Sequence, residues 1–389
     1  MEFELSESHR LLREAVKRFC DREIRPFARE WELRGRFPME LVPALASMGL
    51  LGIGVPEEFG GAGLDHLGYA ICIEELARCD GSIALTVASH NGLALAHLLA
   101  VGTAEQKAKF LPRACSGEWL AAWAMTEPGA GSDTTAIRTT ARRDGDHWIL
   151  DGTKTFITQG SICGFCVVLA KTESAANARA GMTAFIVERG TEGFVVSRVL
   201  EKYGCRASDT AELCFRSCRV PDSARLGGVG AAFYDTMRIL DRGRLAIAAM
   251  ALGLGRGAFE QALNYSKERE AFGRPIAQHQ AVQWKLADGK VSLQAAELLV
   301  HRAAWLADRG ESFSTEVAMA KLFASEMATR ICNDAMQIHG GYGYTREFPI
   351  ERFLRDARLC EIGEGTSEIM RMLIARQLLG PGALAEKTT

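Results

Sequence analysis

The residues best suited to chemistry lie near the C-terminus, in Glu361-Ile-Gly-Glu-Gly-Thr-Ser-Glu368 and the following Ile369-Met-Arg-Met-Leu-Ile-Ala-Arg376. Glu364 stands on a short turn between two glycines. Thr366 or Ser367 can cap a helix whose Met370, Ile374 and Leu378 recur at i, i+4 and i+8. A carboxylate just before a helix has two uses. It can complement the positive end of the helix dipole, or it can act as a general base.

Two further stretches could hold a ligand. Ala124-Met-Thr-Glu-Pro-Gly-Ala-Gly-Ser-Asp133 is rich in turn formers, and its glycines would let backbone N–H groups approach a bound group closely. As an ordinary tight loop it would need only a capping Ser or Asp. Phe156-Ile-Thr158 follows in a strand-like setting. Cys163-Gly-Phe-Cys166 has the C-x-x-C spacing of redox and half-zinc sites, but it adjoins an apolar run and no second Cys or His pair completes a zinc set. No metal is expected. Pro56-Glu-Glu-Phe-Gly-Gly-Ala-Gly63 does not follow a strand and open a helix at G-x-G-x-x-G spacing, which argues against a Rossmann site.

These stretches are set among three kinds of sequence, and 389 residues exceed what one hydrophobic core usually supports. Residues 1–118 read as helices, with apolar stripes at Leu11, Leu12, Val16 and Phe19, from Leu41 to Leu51 and from Leu67 to Ala77. Residues 119–229 read as strands. Asp144-Gly and Asp151-Gly separate the runs Ile137 to Arg143, His147 to Leu150 and Thr153 to Ile157, each a hairpin signal. Further strand-like runs are Phe165 to Leu169, Thr183 to Val187, Phe194 to Val199 and Ala211 to Phe215, ending near Pro221. Residues 230–389 return to long helical periodicity over Leu245 to Leu254, Ala281 to Leu306 and Val317 to Ile338, with Gly253 and Gly255 placed for close helix packing. The fold class is α+β.

A formal net charge of -2 gives no electrostatic reason to expect nucleic acid. The N-terminus lacks a basic leader region, and the longest apolar run, about Leu245 to Gly255, is too short to span a bilayer. Eleven cysteines without framework spacing suit a reducing compartment. The expectation is a soluble, cytoplasmic protein with no membrane attachment.

Glu364-Gly-Thr-Ser resembles the base-bearing motif of the acyl-CoA dehydrogenase family, and four other stretches resemble that family's motifs in the same order. The resemblance covers nearly the whole chain. It implies a helical N-terminal domain, a central β-domain and a C-terminal four-helix bundle, assembled as a homotetramer, a dimer of dimers. It implies FAD as cofactor and electron-transferring flavoprotein as partner. Among the family's branches the chain most resembles short-chain and branched-chain bacterial members, which act in fatty acid β-oxidation or branched-chain acyl-CoA catabolism.

Carried over position by position, Trp123, Met125, Thr126, Gly131 and Ser132 wall and hydrogen-bond the flavin ring, and Phe156 and Thr158 lie against it. The family more often has Trp at Phe156 and Asn at Gln159. Arg269, Phe272, Gln280, Gln337, Gly340 and Gly341 reach FAD held by a neighbouring subunit, and Thr366 and Glu368 complete its site. His339, the only histidine in these stretches, reads as a packed loop residue rather than a catalytic one. Ser132, Asp241, Arg244 and Gly365 lie on the substrate side. In the isovaleryl branch the base sits on the helix that here carries Gly243, so the resemblance assigns the base to Glu364.

The implied reaction is removal of the α-proton of an acyl-CoA thioester by Glu364 while the β-hydrogen leaves as hydride, giving a trans-2-enoyl-CoA. The thioester oxygen is held by the N–H of the base and a flavin hydroxyl. Gly363 stands where the family often has Tyr, which leaves room for a short or branched chain. Ser89, His90 or Asn91 could close the acyl pocket, or could simply cap or face solvent. Two alternatives share the fold: an acyl-CoA oxidase using O2, and a non-catalytic flavoprotein that has lost its base.

Overall fold

The computed structural model describes residues 4–172 and 181–380; the N-terminal Met-Glu-Phe and the end of the third segment, 381–389, lie outside the described residues. Helix α1 (Glu7–Glu23) is capped by Ser6, whose hydroxyl accepts from the His9 N–H, and it turns Val16, Phe19 and Cys20 inward. Helices α2 (Ala28–Arg34) and α3 (Val42–Ser47) lead to α4 (His66–Cys79), which is capped by Asp65 and buried on nearly every face from Gly68 onward. Its charges are paired: Glu74 meets Arg256 at 2.7 Å and Glu75 meets Arg78 at 2.8 Å. Removing one partner of such a pair costs about 3–5 kcal/mol.

Asp80 caps α5 (Gly81–Ser89), which passes through a π-helical turn, His90–Leu95, into α6 (Ala96–Val101). Gly81–Val101 is long and apolar enough to cross a membrane, but 83% of its apolar window is buried inside the protein, so it is a core helix. Helix α7 (Ala104–Cys115) begins with a reciprocal capping box between Thr103 and Gln106.

The middle segment forms one sheet from β1 (Ala121–Ala124), β2 (Thr140–Asp144), β3 (His147–Thr158), β4 (Phe165–Lys171), β5 (Met182–Glu188), β6 (Phe194–Val199), β7 (Thr210–Pro221) and β8 (Arg225–Leu226). The strand order is β6-β7-β3-β2-β4-β5-β8, with β1 parallel to β4. Asp144-Gly145 makes the β2–β3 hairpin, pairing Asp144 with His147. Asp151-Gly152 does not make a second one. There β3 continues through a register shift, the Asp151 carboxylate accepts from the Ser217 N–H at 2.7 Å, and a Cβ on Gly152 would lie 2.4 Å from the Thr139 hydroxyl. The dipeptide makes a bulge because close backbone approach, rather than chain reversal, requires glycine there.

Helices α8 (Ala232–Glu268), α9 (Gln280–Asp308) and α10 (Ser314–His339) form the C-terminal bundle with α11 (Ile350–Cys360) and α12 (Ser367–Leu379). A two-residue hairpin, β9 (Glu270–Ala271) and β10 (Arg274–Pro275), joins α8 to α9. A Cβ at Gly253 would stand 2.1 Å from the Glu74 carbonyl, so glycine lets α8 lie directly on α4. One apolar core accordingly runs from α1 and α4 through α8 to α10, while separate cores fill the two faces of the sheet.

Candidate active site

Glu364 lies on the turn between α11 and α12 with φ 54°, and Gly365 follows with φ 97°. A left-handed backbone at a residue with a side chain costs on the order of 1–2 kcal/mol. The turn withstands this because its neighbours fix it. Thr366, not Ser367, caps α12 by accepting from the Ile369 N–H, and the Ser367 N–H donates to the Glu361 carbonyl at 3.0 Å. Of the expected apolar stripe on α12, Met370 is buried but Leu378 is exposed, so this helix end faces outward.

The Glu364 side chain keeps one partly open face, while its Oε2 is sealed from solvent and, among the described residues, has no hydrogen-bond partner. Burial pushes the carboxyl up to about 6 against the opposing pull of Arg244 and Lys321. A base with that value is ionised at neutral pH yet still avid for a proton. Gly243 on α8 lies directly beneath it, where a Cβ would come within 2.7 Å of Oε2. On the same helix Arg244 donates to Asp241 at 2.6 Å, and the Ser314 hydroxyl donates to the other Asp241 oxygen. Among the described residues, the Glu364 N–H donates no hydrogen bond and is free to meet an incoming oxygen.

The β-domain residues form a second group. Trp123 and Met125 are buried at the end of β1, and the Trp123 indole N–H donates to His97 Nδ1 at 3.1 Å. Burial lowers His97 to about 4, so its ring is neutral and can accept that bond. The backbone carbonyl of Thr126 accepts from the Thr155 N–H at 2.9 Å, joining the turn to β3. Gly131 and Ser132 are exposed at its tip. Phe156 has φ 58° and is 68% exposed, an apolar ring held outward on strained backbone, with Thr158 two residues on.

No sequence signal marks what fixes this turn. Lys154 is fully buried in β3, and its ammonium donates to the Met125 carbonyl at 2.9 Å and to Glu127 at 2.8 Å. The Glu127 carboxylate also accepts from the Arg138 and Thr139 N–H groups. A lysine inside a strand-like run reads as an exposed charge, so only the fold reveals its role.

The third group is apart from the first two in one chain. Arg269, His339, Gly340, Gly341 and Tyr342 help line a cleft of about 490 Å³ at the ends of α8 and α10 that includes none of the β-domain set and not Glu364. Gln337 precedes this cleft, while Phe272 is 95% exposed on the β9–β10 turn and Gln280 is exposed at the start of α9. His339 packs as expected: its Nδ1 donates to the Ala335 carbonyl at 2.8 Å and its ring stacks on Tyr265 at 4.3 Å, leaving Nε2 buried and, among the described residues, unpartnered. A Cβ at either Gly340 or Gly341 would meet nothing within 4 Å, so the floor of the cleft is open. Glu368 is exposed in the first turn of α12.

Ser89, His90 and Asn91 are buried, and the latter two are committed to the backbone. His90 binds the Leu51 carbonyl and the Ala121 N–H, each at 3.0 Å. Asn91 binds Ile53 N–H, Leu50 carbonyl and Val87 carbonyl. These two side chains hold the π-helical segment in place.

An exposed aromatic ring on strained backbone, an open glycine cradle beside a guanidinium and a sealed, unpartnered His339 nitrogen are features that fit a planar flavin and an attached pyrophosphate. The chain matches the family model for the acyl-CoA dehydrogenase N-terminal domain over residues 6–118, the middle domain over 122–218 and the C-terminal domain over 231–379. It is 44% identical to the mitochondrial short-chain specific acyl-CoA dehydrogenase of Bos taurus, covering 97% of this chain and 91% of that one. Butyryl-CoA dehydrogenase from Megasphaera elsdenii superposes with a TM-score of 0.95 at 37% identity, covering 98% of this chain and all of that one. A chain in the structure of the electron transferring flavoprotein of Acidaminococcus fermentans superposes with the same TM-score at 40% identity, covering 97% and 100%.

Proposed function

The chain belongs to the acyl-CoA dehydrogenase family and is an FAD-dependent acyl-CoA dehydrogenase; we propose that Glu364 is its general base and that its substrate is a short or branched acyl-CoA thioester. The observation that carries the base assignment is the sealed, unpartnered Oε2 on a carboxyl raised to about 6. Bound FAD supplies the hydride acceptor. Glu364 takes the α-proton, and its free N–H polarises the thioester oxygen, which makes the α-carbon acidic enough to lose that proton. Desolvation by the acyl chain raises the carboxyl further and strengthens it as an acceptor.

The room beside Gly363, where a Cβ would approach Leu359 no closer than 3.6 Å, favours a compact or branched chain. The bovine relative is named short-chain specific and the Megasphaera structure is of a butyryl-CoA dehydrogenase. Phe156, Thr158, Trp123, Met125, Thr126, Gly131 and Ser132 are assigned to the flavin ring. Arg269, Phe272, Gln280, Gln337, Gly340, Gly341, Thr366 and Glu368 are assigned to the rest of FAD, and Ser132, Asp241, Arg244 and Gly365 to the substrate. Electrons pass on to an electron-transferring flavoprotein.

The separation of the Arg269 cleft from the β-domain set favours sites completed between subunits. Trp284, Val291, Leu298 and Trp305 recur every seven residues along α9 and are 60%, 70%, 42% and 49% exposed, an apolar stripe that a neighbouring copy would cover. A homotetramer follows as the proposed assembly. The eleven free cysteines, ten of them buried, support a reducing, cytoplasmic setting.

The test is anaerobic flavin bleaching with acyl-CoAs from butyryl to palmitoyl, including isobutyryl and 2-methylbutyryl. Bleaching that peaks with short or branched chains and is lost in Glu364→Gln is the expected result. A peak at decanoyl or longer overturns the substrate assignment, and turnover by Glu364→Gln overturns the base. Rapid peroxide formation in air without an acceptor would mark an oxidase instead.

A further inference from the structure

Helix α10 turns three polar side chains toward the base-bearing turn at i, i+4 and i+8, one stripe on one helical face. The Lys321 ammonium donates to the Gly365 carbonyl, the Ser325 hydroxyl donates to the Cys360 carbonyl at 2.8 Å, and the Thr329 hydroxyl donates to Glu361 Oε1 at 2.5 Å. Together they hold the turn on both sides of its strained residue, at Cys360 and Glu361 before Glu364 and at Gly365 after it. Lys321 is the exceptional member, because its side chain is fully buried and, among the described residues, forms no ion pair within 4.0 Å.

We propose that Lys321 is a positioning residue for α-proton abstraction: its buried ammonium clamps the Gly365 carbonyl and keeps a positive charge behind the Glu364 carboxylate. The proposal rests on Glu364 being the base. A neutral hydrogen-bond donor could hold the carbonyl equally well, so a buried cation there has a second effect, the electrostatic one. It favours the ionised base before substrate arrives, offsetting the burial that would otherwise keep Glu364 protonated. The groups facing Glu364 are Arg244 from α8, Lys321 from α10 and Tyr69 from α4, whose phenol burial keeps neutral. Those facing Lys321 are Cys360, Glu364, Glu361 and Arg244. Burial lowers Lys321 to about 8, so it is charged where Glu364 must be ionised and loses that charge above.

The test compares Lys321→Met, Lys321→Gln and Lys321→Arg by the pH dependence of flavin reduction in the FAD-loaded enzyme. The Met and Gln variants should move the acid limb up by about one pH unit, a roughly tenfold loss of rate below it. Gln, which can still donate to Gly365, should keep most of the plateau rate, and Arg should restore the wild-type limb. If Met fails to fold, the Gln and Arg pair decides alone. An unmoved limb in the neutral variants overturns the proposal, whatever happens to stability. Loss of the limb in Glu364→Gln together with loss of turnover keeps the base assignment independent of this result.

Discussion

Oε2 of Glu364 lies over the bare Cα of Gly243, close enough that a single methyl on α8 would come within 2.7 Å of it. The absence of a side chain at 243 thus sets where the base can stand. Leu93 Cδ2 closes the other side at 3.0 Å from the same Cβ position, so the flexible carboxylate is what must give way.

Gly243→Ala should therefore displace Glu364 without unfolding the protein, since alanine is the better helix former by about 1 kcal/mol. A displacement of about 1 Å at a reacting group costs roughly a hundredfold in rate. Single-turnover flavin reduction should fall by that order while FAD content and Tm stay near wild type. A normal rate in the alanine variant would show that Glu364 stands elsewhere during turnover.

The value of about 6 for Glu364 sets the pH dependence of the reaction. The active form is the carboxylate, so kcat/KM should rise with pH, reach half its plateau near about 6 and level off above. Glu364→Gln removes the ionisable group, and with it about two to four orders of magnitude of rate and the limb itself. A limb that persists in the Gln variant would belong to another residue.

How much of this was legible beforehand depended on whether a residue's surroundings were local in sequence. Glu364 could be found because its glycines, its cap and its helix are adjacent to it. A cap at Thr366 or Ser367 followed for the same reason, and the fold settles it as Thr366. Asp144-Gly145 and Asp151-Gly152 look alike as dipeptides, and only the contact of Gly152 with Thr139 decides that the second is a bulge. Lys154 and Lys321 lay beyond reach because their partners, the Met125 and Gly365 carbonyls, are 29 and 44 residues away. His90 and Asn91 looked like candidates for the acyl pocket, but backbone groups of distant loops use up their polar atoms.

Asp356 offers a stability test away from the chemistry. Burial first, and Asp80 second, push its carboxyl up to about 7 from an ordinary 3.8. A folded value above the unfolded one stabilises fully below about 3.8, and that contribution is lost as pH rises through about 7. Asn can still accept the Cys205 N–H that Oδ1 now receives at 2.5 Å, and it carries no charge. Asp356→Asn should match wild type in acid and exceed it above neutrality by roughly 1–3 kcal/mol in denaturant unfolding. Equal curves at every pH would show that Asp356 is relieved by some other partner.

Phe156 separates cofactor binding from folding. Its ring is 68% exposed and its backbone is strained, so trimming it removes little core packing from the chain without FAD. Phe156→Ala should leave the apo Tm within a few degrees of wild type. Loss of a ring contact worth roughly 0.5–1.5 kcal/mol should then weaken FAD binding by about three- to tenfold in fluorescence titration. An unchanged affinity would remove Phe156 from the flavin site.

The apolar stripe on α9 links assembly to the cofactor. Val291 and Leu298 are 70% and 42% exposed, two helical turns apart, and neither contributes to a core of the single chain. Val291→Glu with Leu298→Glu places two charges on that face at little cost to a monomer. In a packed interface the same change buries unpaired carboxylates, which is strongly unfavourable. Light scattering should show the wild type as a tetramer and the double variant as smaller species. Because the Arg269 cleft and the Phe156 region of one chain are separate, the dissociated protein should also bind FAD more weakly by an order of magnitude or more. A dissociated variant that kept full FAD affinity would mean that each chain completes its own flavin site, and the shared-site arrangement would have to be abandoned.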